Sequence, residues 1–325
     1  MPTPRATVPV RRISPQTALV LALAVLAISS SAVLVQWADA SPVALAFWRT
    51  LGGAVILAPS ARRSAIKPSR AQWQAIAVAG VALSIHFASW LASLELTSVA
   101  ASVTLVSTTP ILIAAYLALT GRNPGRATWL AVGLAVVGVV VITGGDVGAS
   151  TTGSDGDDTA LLGDGLALVG AATMACYLLI GDRLRSTHPV AGGARPDRLG
   201  ESSPLSTSGY ASRTYGVAAA ATFVIAVIAD IDLFGFDTKT WLAIGAMIAG
   251  PQLAGHTALN YLVGRLGSVT ISLALLVEPL GASVLVWLFF GDVPPMAAVL
   301  GAPLVMGAIA IQVTNRALTN DFREP

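Results

Sequence analysis

The chain is a succession of long apolar runs separated by short polar breaks, and charges, glycine and proline bound ten of them. The runs cover residues 15–36, 43–60, 72–93, 98–119, 127–144, 161–181, 210–230, 241–262, 268–290 and 297–314. Their lengths are near the roughly 20 residues an α-helix needs to cross the hydrocarbon layer of a bilayer. Strands of a membrane barrel would alternate with period two, whereas residues 130–142 are apolar on every face. The pattern predicts an all-α membrane protein with ten transmembrane helices. Arg11 and Arg12 ahead of the first run also fit a secretory signal peptide, but no small-residue cleavage site stands out after it.

Composition strengthens this reading. Hydrophobic residues make up 54% of the 325 and charged residues only 11%, against about a quarter charged in soluble domains. An ordinary soluble enzyme is thereby excluded. The single cysteine, Cys176, rules out an intrachain disulfide.

Charge adds orientation. Of the 19 Lys and Arg, all but Lys239 and Arg49 fall on the side of the N-terminus when the runs are threaded alternately. Positive residues favour cytoplasmic loops, so both termini are expected in the cytoplasm and the chain in the cell membrane as a multi-pass protein. Asp146, Asp155, Asp157, Asp158, Asp164, Asp230, Asp232 and Asp237 collect on the opposite side. The stretch 145–160 reads as an external linker. Its Asp155, Asp157 and Asp158 lack the Gly and Glu of a calcium loop, so a solvated acidic loop is expected and no metal site.

The chain also repeats itself. A shift of 170 residues pairs His86 with His256 and Gly121 with Gly291, and a shift of 169 pairs Pro110 with Pro279 and Gly138 with Gly307. Each half holds five helices, an odd number, so the halves insert upside down relative to each other. Such 5+5 inverted repeats recur in transporters, with the substrate near the bilayer midplane. The expected organisation is a tail (1–14), a first five-helix repeat (15–144), the linker, a second repeat (161–315) and a tail (316–325). The second repeat carries a polar cytoplasmic insertion at about 186–209.

Four segments carry a resemblance to a known family. They are SPVALAFWRTLGGAVIL (41–57), SVAASVTLVSTTPILIAAYLALTGRNP (98–124), GDGLALVGAATMACYLLI (163–180) and SVTISLALLVEPLGASVLVWLFFGDVPP (268–295). In order and spacing they resemble two tandem units of the EamA type within the drug/metabolite transporter superfamily. The family often places Glu after the Gly closing the fourth and ninth helices, where this chain has Arg122 and Asp292. The resemblance implies transport of small polar metabolites, such as amino acids or related compounds, as a permease that exports. It does not name the cargo.

Ionisable residues inside a membrane are costly and suggest a substrate path. At 1.5 Å per residue, Glu278 lies roughly 15 Å into a layer about 30 Å thick, near its centre. Arg49 lies about 10 Å from the external end of its helix by the same rise. His86 falls in the outer half and His256 in the inner half. Gln252, His256 and Asn260 share one α-helical face at i, i+4 and i+8, as do His86, Trp90 and Ser93. The bland alternative for both stripes is hydrogen bonding that only holds the bundle together. Arg49, His86, Trp90, Gln252, His256, Asn260 and Glu278 are thus the substrate-pathway candidates. Pro110 and Pro279, each removing a backbone donor in mid-helix, are either hinges or fixed bends.

The leading function is a secondary transporter or facilitator working by alternating access, with a small-molecule substrate, the bilayer as its solvent and proton coupling through Glu278. A homodimer is compatible with it. The competing class is a membrane-embedded enzyme acting on a lipid or peptide, but HExxH, GxSxG, paired aspartate-rich motifs and GxxxxGK are all missing from the sequence. No cofactor is expected, and no basic domain suggests nucleic acid.

Overall fold

The computed structural model describes residues 14–64, 66–97, 99–122, 124–144, 157–185, 205–291 and 296–321. Almost all of the N-terminal tail, most of the 145–160 linker, residues 186–204 of the insertion, Asp292 and the last four residues lie outside them. Among the described residues every regular element is a helix.

In chain order these are α1 (Pro15–Ser29), α2 (Ser31–Trp37), α3 (Pro42–Arg63), α4 (Arg70–Leu96), α5 (Val99–Val106), α6 (Thr109–Leu119) and α7 (Arg126–Gly144). After the linker follow α8 (Asp157–Arg185), α9 (Thr207–Ile228), α10 (Thr238–Met247), a π-helical segment (Ile248–Thr257), α11 (Ala258–Leu275), α12 (Glu278–Phe290) and α13 (Met296–Asp321). Seven helical stretches are long and apolar enough to cross a membrane, and three shorter apolar helices accompany them.

Helix starts follow from local chemistry. Ser14 and Ser41 accept hydrogen bonds from Thr17 N and Ala44 N, each with proline as the first helical residue, where its missing N–H costs nothing. Ser69 and Gln72 form a reciprocal capping box at α4. Asp237 accepts from Thr240 N at 2.8 Å at the start of α10, and these hydrogen bonds from Thr240 hold its exposed carboxyl below the usual carboxylate range.

The stretch from Thr238 to Leu275 has 38 residues, about 57 Å of helix at 1.5 Å per residue, too long for one crossing. Gly267 divides it with φ 75° and ψ 161°, a conformation glycine adopts without steric cost. The new helix beginning at Ser268 is capped from another element, since Asp182 Oδ2 accepts from both Ser268 N (2.9 Å) and Ser268 Oγ (3.0 Å).

Two of the expected helices are broken rather than bent. Between α5 and α6 the chain turns at Ser107–Thr108, and between α11 and α12 at Leu276–Val277, so Pro110 and Pro279 each stand in the first turn of a new helix. Hydroxyls cover carbonyls at the first break: Ser107 donates to Val103 O, Thr108 to Leu105 O and Thr109 to Val106 O. A further break at Ser30 splits the first apolar run into α1 and α2, which the sequence pattern had not suggested.

The bundle is built from close helix pairs, α4 with α8, α3 with α9 and α7 with α13. Their interfaces are rich in buried alanine, including Ala46, Ala79, Ala131, Ala135, Ala171 and Ala218, because small residues let helices approach where water supplies no hydrophobic drive. Gly138 and Gly301 stand at such contacts. A Cβ at Gly138 would lie 2.8 Å from Val305 Cγ2, and one at Gly301 would lie 3.1 Å from Ile142 N. Gly307 leaves ordinary contact distance to Leu134, and Gly133 faces open space, so Gly133 is no packing residue within this chain. The outer surface is apolar, with Leu119, Ile228 and Leu242 among its most exposed residues. Trp37, Trp73, Trp129 and Trp241 are part-exposed at 37–44%, as interface anchors would be.

Gly301→Val is expected to lower stability by about 1–3 kcal/mol through overpacking, while Gly133→Ala leaves it unchanged or slightly raised. Thermal unfolding of both variants in one detergent checks this, and equal melting temperatures would contradict the packing described.

Candidate functional site

The polar groups of the interior meet where α3, α4, α8, α9 and the π segment cross. Arg49 is 5% exposed, and its Nε donates to Gln252 Oε1 at 3.0 Å. The face of its guanidinium lies over the ring of Phe87, 4.3 Å from the centroid, a cation–π arrangement that gains strength away from water. Gln252 can come this close because Gly53, one turn after Arg49, has no side chain: a Cβ there would sit 2.8 Å from Gln252 Cγ.

The stripe on the eighth apolar run is real, but its geometry differs from the one expected. Residues 248–257 are π-helical around Pro251, so i, i+4 and i+8 do not define a single α-helical face across Gln252, His256 and Asn260. All three are nevertheless buried, at 0%, 4% and 2% exposure. The widened turn aims them at different partners. Gln252 meets Arg49, His256 packs edge-on against Phe87 with centroids 5.5 Å apart, and Asn260 accepts from Tyr177 Oη (2.7 Å) and donates to Tyr215 Oη (3.1 Å). Tyr215 Oη lies 3.3 Å from Thr257 Oγ1, which donates to Gln252 O at 3.2 Å. A continuous polar chain therefore runs from Arg49 to Tyr177. π-helical turns inside α-helices are frequent at functional sites.

The stripe on α4 is mostly structural. His86 Nδ1–H donates to Gly170 O of α8 at 2.9 Å. Ser93 donates to Trp90 O and lies 2.6 Å from Ser102 Oγ, tying α4 to α5. Trp90 stacks on His86 at 5.9 Å and 11°, and its buried Nε1 has no hydrogen-bond partner among the described residues. The two histidines, assigned by sequence to opposite halves of the membrane, both flank Phe87, so they lie closer in depth than the shift between repeats suggested.

Glu278 opens α12 immediately after the second break. It is partly buried, interacts electrostatically with Arg49, and among the described residues its carboxyl forms no ion pair with that arginine. Its backbone carbonyl accepts from Ser29 Oγ at 3.1 Å, beside the break at Ser30. A related contact occurs at the other break, where Thr109 Oγ1 donates to Ala171 O at 3.3 Å. Thr109 is the residue 169 positions before Glu278, so corresponding places in the two halves carry a neutral hydroxyl in one and an acid in the other.

Sequence reasoning missed Gly53, Phe87, Tyr177, Tyr215 and Thr257. Phe87 and the tyrosines look like ordinary apolar filler. Gly53 had a signal, a Gly-Gly pair that follows Arg49 within one helical turn. Arg185 was counted as a loop charge, yet it is 9% exposed and donates to Asn260 O (3.2 Å), Leu205 O and Thr207 Oγ1. Residues 205–209 correspondingly leave the expected insertion: Leu205 is buried and its N–H donates to Leu184 O, and Ser206 caps α9.

No curated protein matches the chain. A crystal structure of another protein is similar in fold, with a TM-score of 0.69, 18% identity, and coverage of 91% of this chain and 97% of that one. At that identity the likeness speaks for the fold alone. The EamA-like transporter family matches residues 16–144, a stretch that begins within α1 and ends where α7 ends. Residues 16–144 thus resemble a unit of that transporter family, over less than half of the chain.

Proposed function

We propose that this protein is a secondary transporter of small polar metabolites, exporting them across the cell membrane by alternating access between two inverted five-helix halves with both termini in the cytoplasm. The observation that carries this is an asymmetry between the two ends of the bundle. At one end α11 packs on both α6 and α8. Arg183 of α8 donates there to Tyr116 Oη of α6, Asp182 holds Ser268, and a Cβ on Gly264 would sit 2.9 Å from Arg185 Cβ. Exchanging the halves relates this end to a contact of α2 and α12 with α4 and α5 at the other end. Among the described residues no extensive contact exists there. One end is sealed and its counterpart is parted, as one state of an alternating-access cycle requires.

The hydrogen bonds between helix ends support the topology. Asp39 N donates to Thr240 Oγ1, Trp48 Nε1 to Leu233 O and Thr97 Oγ1 to Asp164 Oδ1, which groups ends from the acidic side. Ser60 bonds Ser208, and Ser206 donates to Ser64, on the basic side where the sealed end also lies. By the positive-inside rule the parted end faces outward.

Glu278 carries the coupling in this reading: it exchanges a proton with either side, or receives a cationic group of the substrate. The decisive experiment is flux in proteoliposomes over a range of pH. Glu278→Gln is expected to fold and bind substrate while its flux loses pH dependence. Wild-type flux at every pH would remove Glu278 from coupling, and misfolding rescued by neutralising Arg49 would make it a structural charge.

Pro110 and Pro279 act as flexing points at matched breaks. Alanine at either is expected to slow flux more than it weakens binding, because a hinge acts on interconversion. Unchanged flux in both variants would leave fixed bends.

Cysteines introduced at Ser154 and Ser206 in a Cys176→Ala background test orientation. Ser154 lies outside the described residues, and Ser206 caps α9 on the basic side. Only the first is expected to react with an impermeant reagent on sealed cells, and equal labelling would overturn the topology.

A further inference from the structure

Among the described residues, the crossing of α3 and the π segment holds two buried donors with no acceptor, Arg49 Nη2 and Gln252 Nε2. Both belong to side chains at most 5% exposed. A buried polar group left unpaired loses its hydration without compensation, and a guanidinium away from water is costlier still. Rotating the amide does not relieve the mismatch. Arginine only donates, so the Arg49 Nε–H fixes Gln252 Oε1 as its acceptor at 3.0 Å and leaves the NH2 of Gln252 as a second free donor.

The guanidinium is also positioned. Phe87 lies 4.3 Å from its Cζ and Gln252 occupies Nε, so Nη2 is left as the buried N–H group without a partner. Gly53 gives Gln252 the room to stand there. The nearby acid, Glu278, forms no ion pair with Arg49 although the two interact electrostatically. The site therefore lacks an acceptor of its own where one planar, two-oxygen anion would satisfy both donors. Arginine and amide N–H groups side by side match a carboxylate in geometry and charge.

We propose that Arg49 and Gln252 form a carboxylate subsite, so that the solutes carried are small carboxylic acids in their anionic form. The inference rests on the transport reading above and narrows it: a neutral sugar brings no negative charge to Arg49, and an amine without an acid group brings no acceptor for Arg49 Nη2 and Gln252 Nε2. Glu278, which interacts electrostatically with Arg49, is the acid that would meet a second, cationic group on the same solute.

The test uses the full-length purified protein and two matched probe series, the twenty common α-amino acids and their α-carboxamides, which differ in the acid group alone. Thermal stabilisation and flux in liposomes are read for each, with neutral hexoses as a third series. Acids are expected to stabilise and cross, and their amides to bind about tenfold more weakly or worse. Gln252→Glu removes the amide donor and supplies a tethered carboxylate to Arg49. It is expected to melt higher than wild type without ligand and to lose its response to acids. Arg49→Lys keeps the charge but not the fork, and is expected to weaken the acids by about tenfold while leaving the response to amides unchanged.

Acids and amides that bind wild type alike, or acids that still bind Gln252→Glu as they bind wild type, overturn the subsite and leave transport standing. Flux of hexoses alone does the same. If no series crosses the liposome membrane, the transport reading falls and takes the subsite with it.

Discussion

A positive charge in the middle of an apolar bundle is the constraint around which the rest is arranged. Arg49 cannot shed its charge and cannot reach water, so neighbouring helices must hold it. Gln252 accepts one of its N–H groups at 3.0 Å, and Phe87 lies under its face. Meeting Gln252 requires the missing side chain of Gly53 and a π-helical turn around Pro251. That turn directs Asn260 toward Tyr177 and Tyr215, and Asn260 O receives Arg185 at the sealed end. The centre of the molecule and its closed end are thus linked by one run of polar contacts, and a change at Arg49 has a physical route to the seal.

The two halves share breaks and contacts without sharing chemistry. The helices broken at Ser107–Thr108 and Leu276–Val277 restart one residue before a proline, and α8 and α1 carry the contacts to them, through Ala171 in one case and Ser29 in the other. The acid occurs at only one of these places, as Glu278 opposite Thr109. In the proposed cycle the two halves would supply two exchangeable openings, and Glu278 with Arg49 would be presented to both. The sealed end adds hydrogen bonds that can be exchanged for water, such as Asp182 to Ser268, to apolar packing by Leu184, Leu262 and Leu266. Such contacts suit a seal that must open.

Much of this was legible in the sequence because the bilayer restricts what can be buried. Arg49, His86, Gln252, His256, Asn260 and Glu278 stand out against apolar runs, and the structure gathers Arg49 with Gln252 and brings both histidines to Phe87. The roles within the cluster were not legible. His86 is held by a backbone carbonyl of α8, a partner with no side-chain signature. Phe87, Tyr177 and Tyr215 do not stand out among apolar neighbours and become specific only through what they touch. The π register depends on tertiary packing around Pro251, so a face counted at α-helical spacing came out with the right residues and the wrong geometry. The burial of Arg185 has no signal in the sequence, because its helix runs four residues past the apolar segment.

The central claim is that one end opens as the other closes around the Arg49 cluster. Distances between spin labels measure this directly, with one pair at Asp39 and Glu95 across the parted end and another at Thr120 and Arg265 across the sealed end, all in liposomes with a transported solute. The account predicts opposite changes on solute addition, the first distance shortening while the second lengthens. Two distances that stay fixed, or that change in the same direction, would contradict alternating access in this protein.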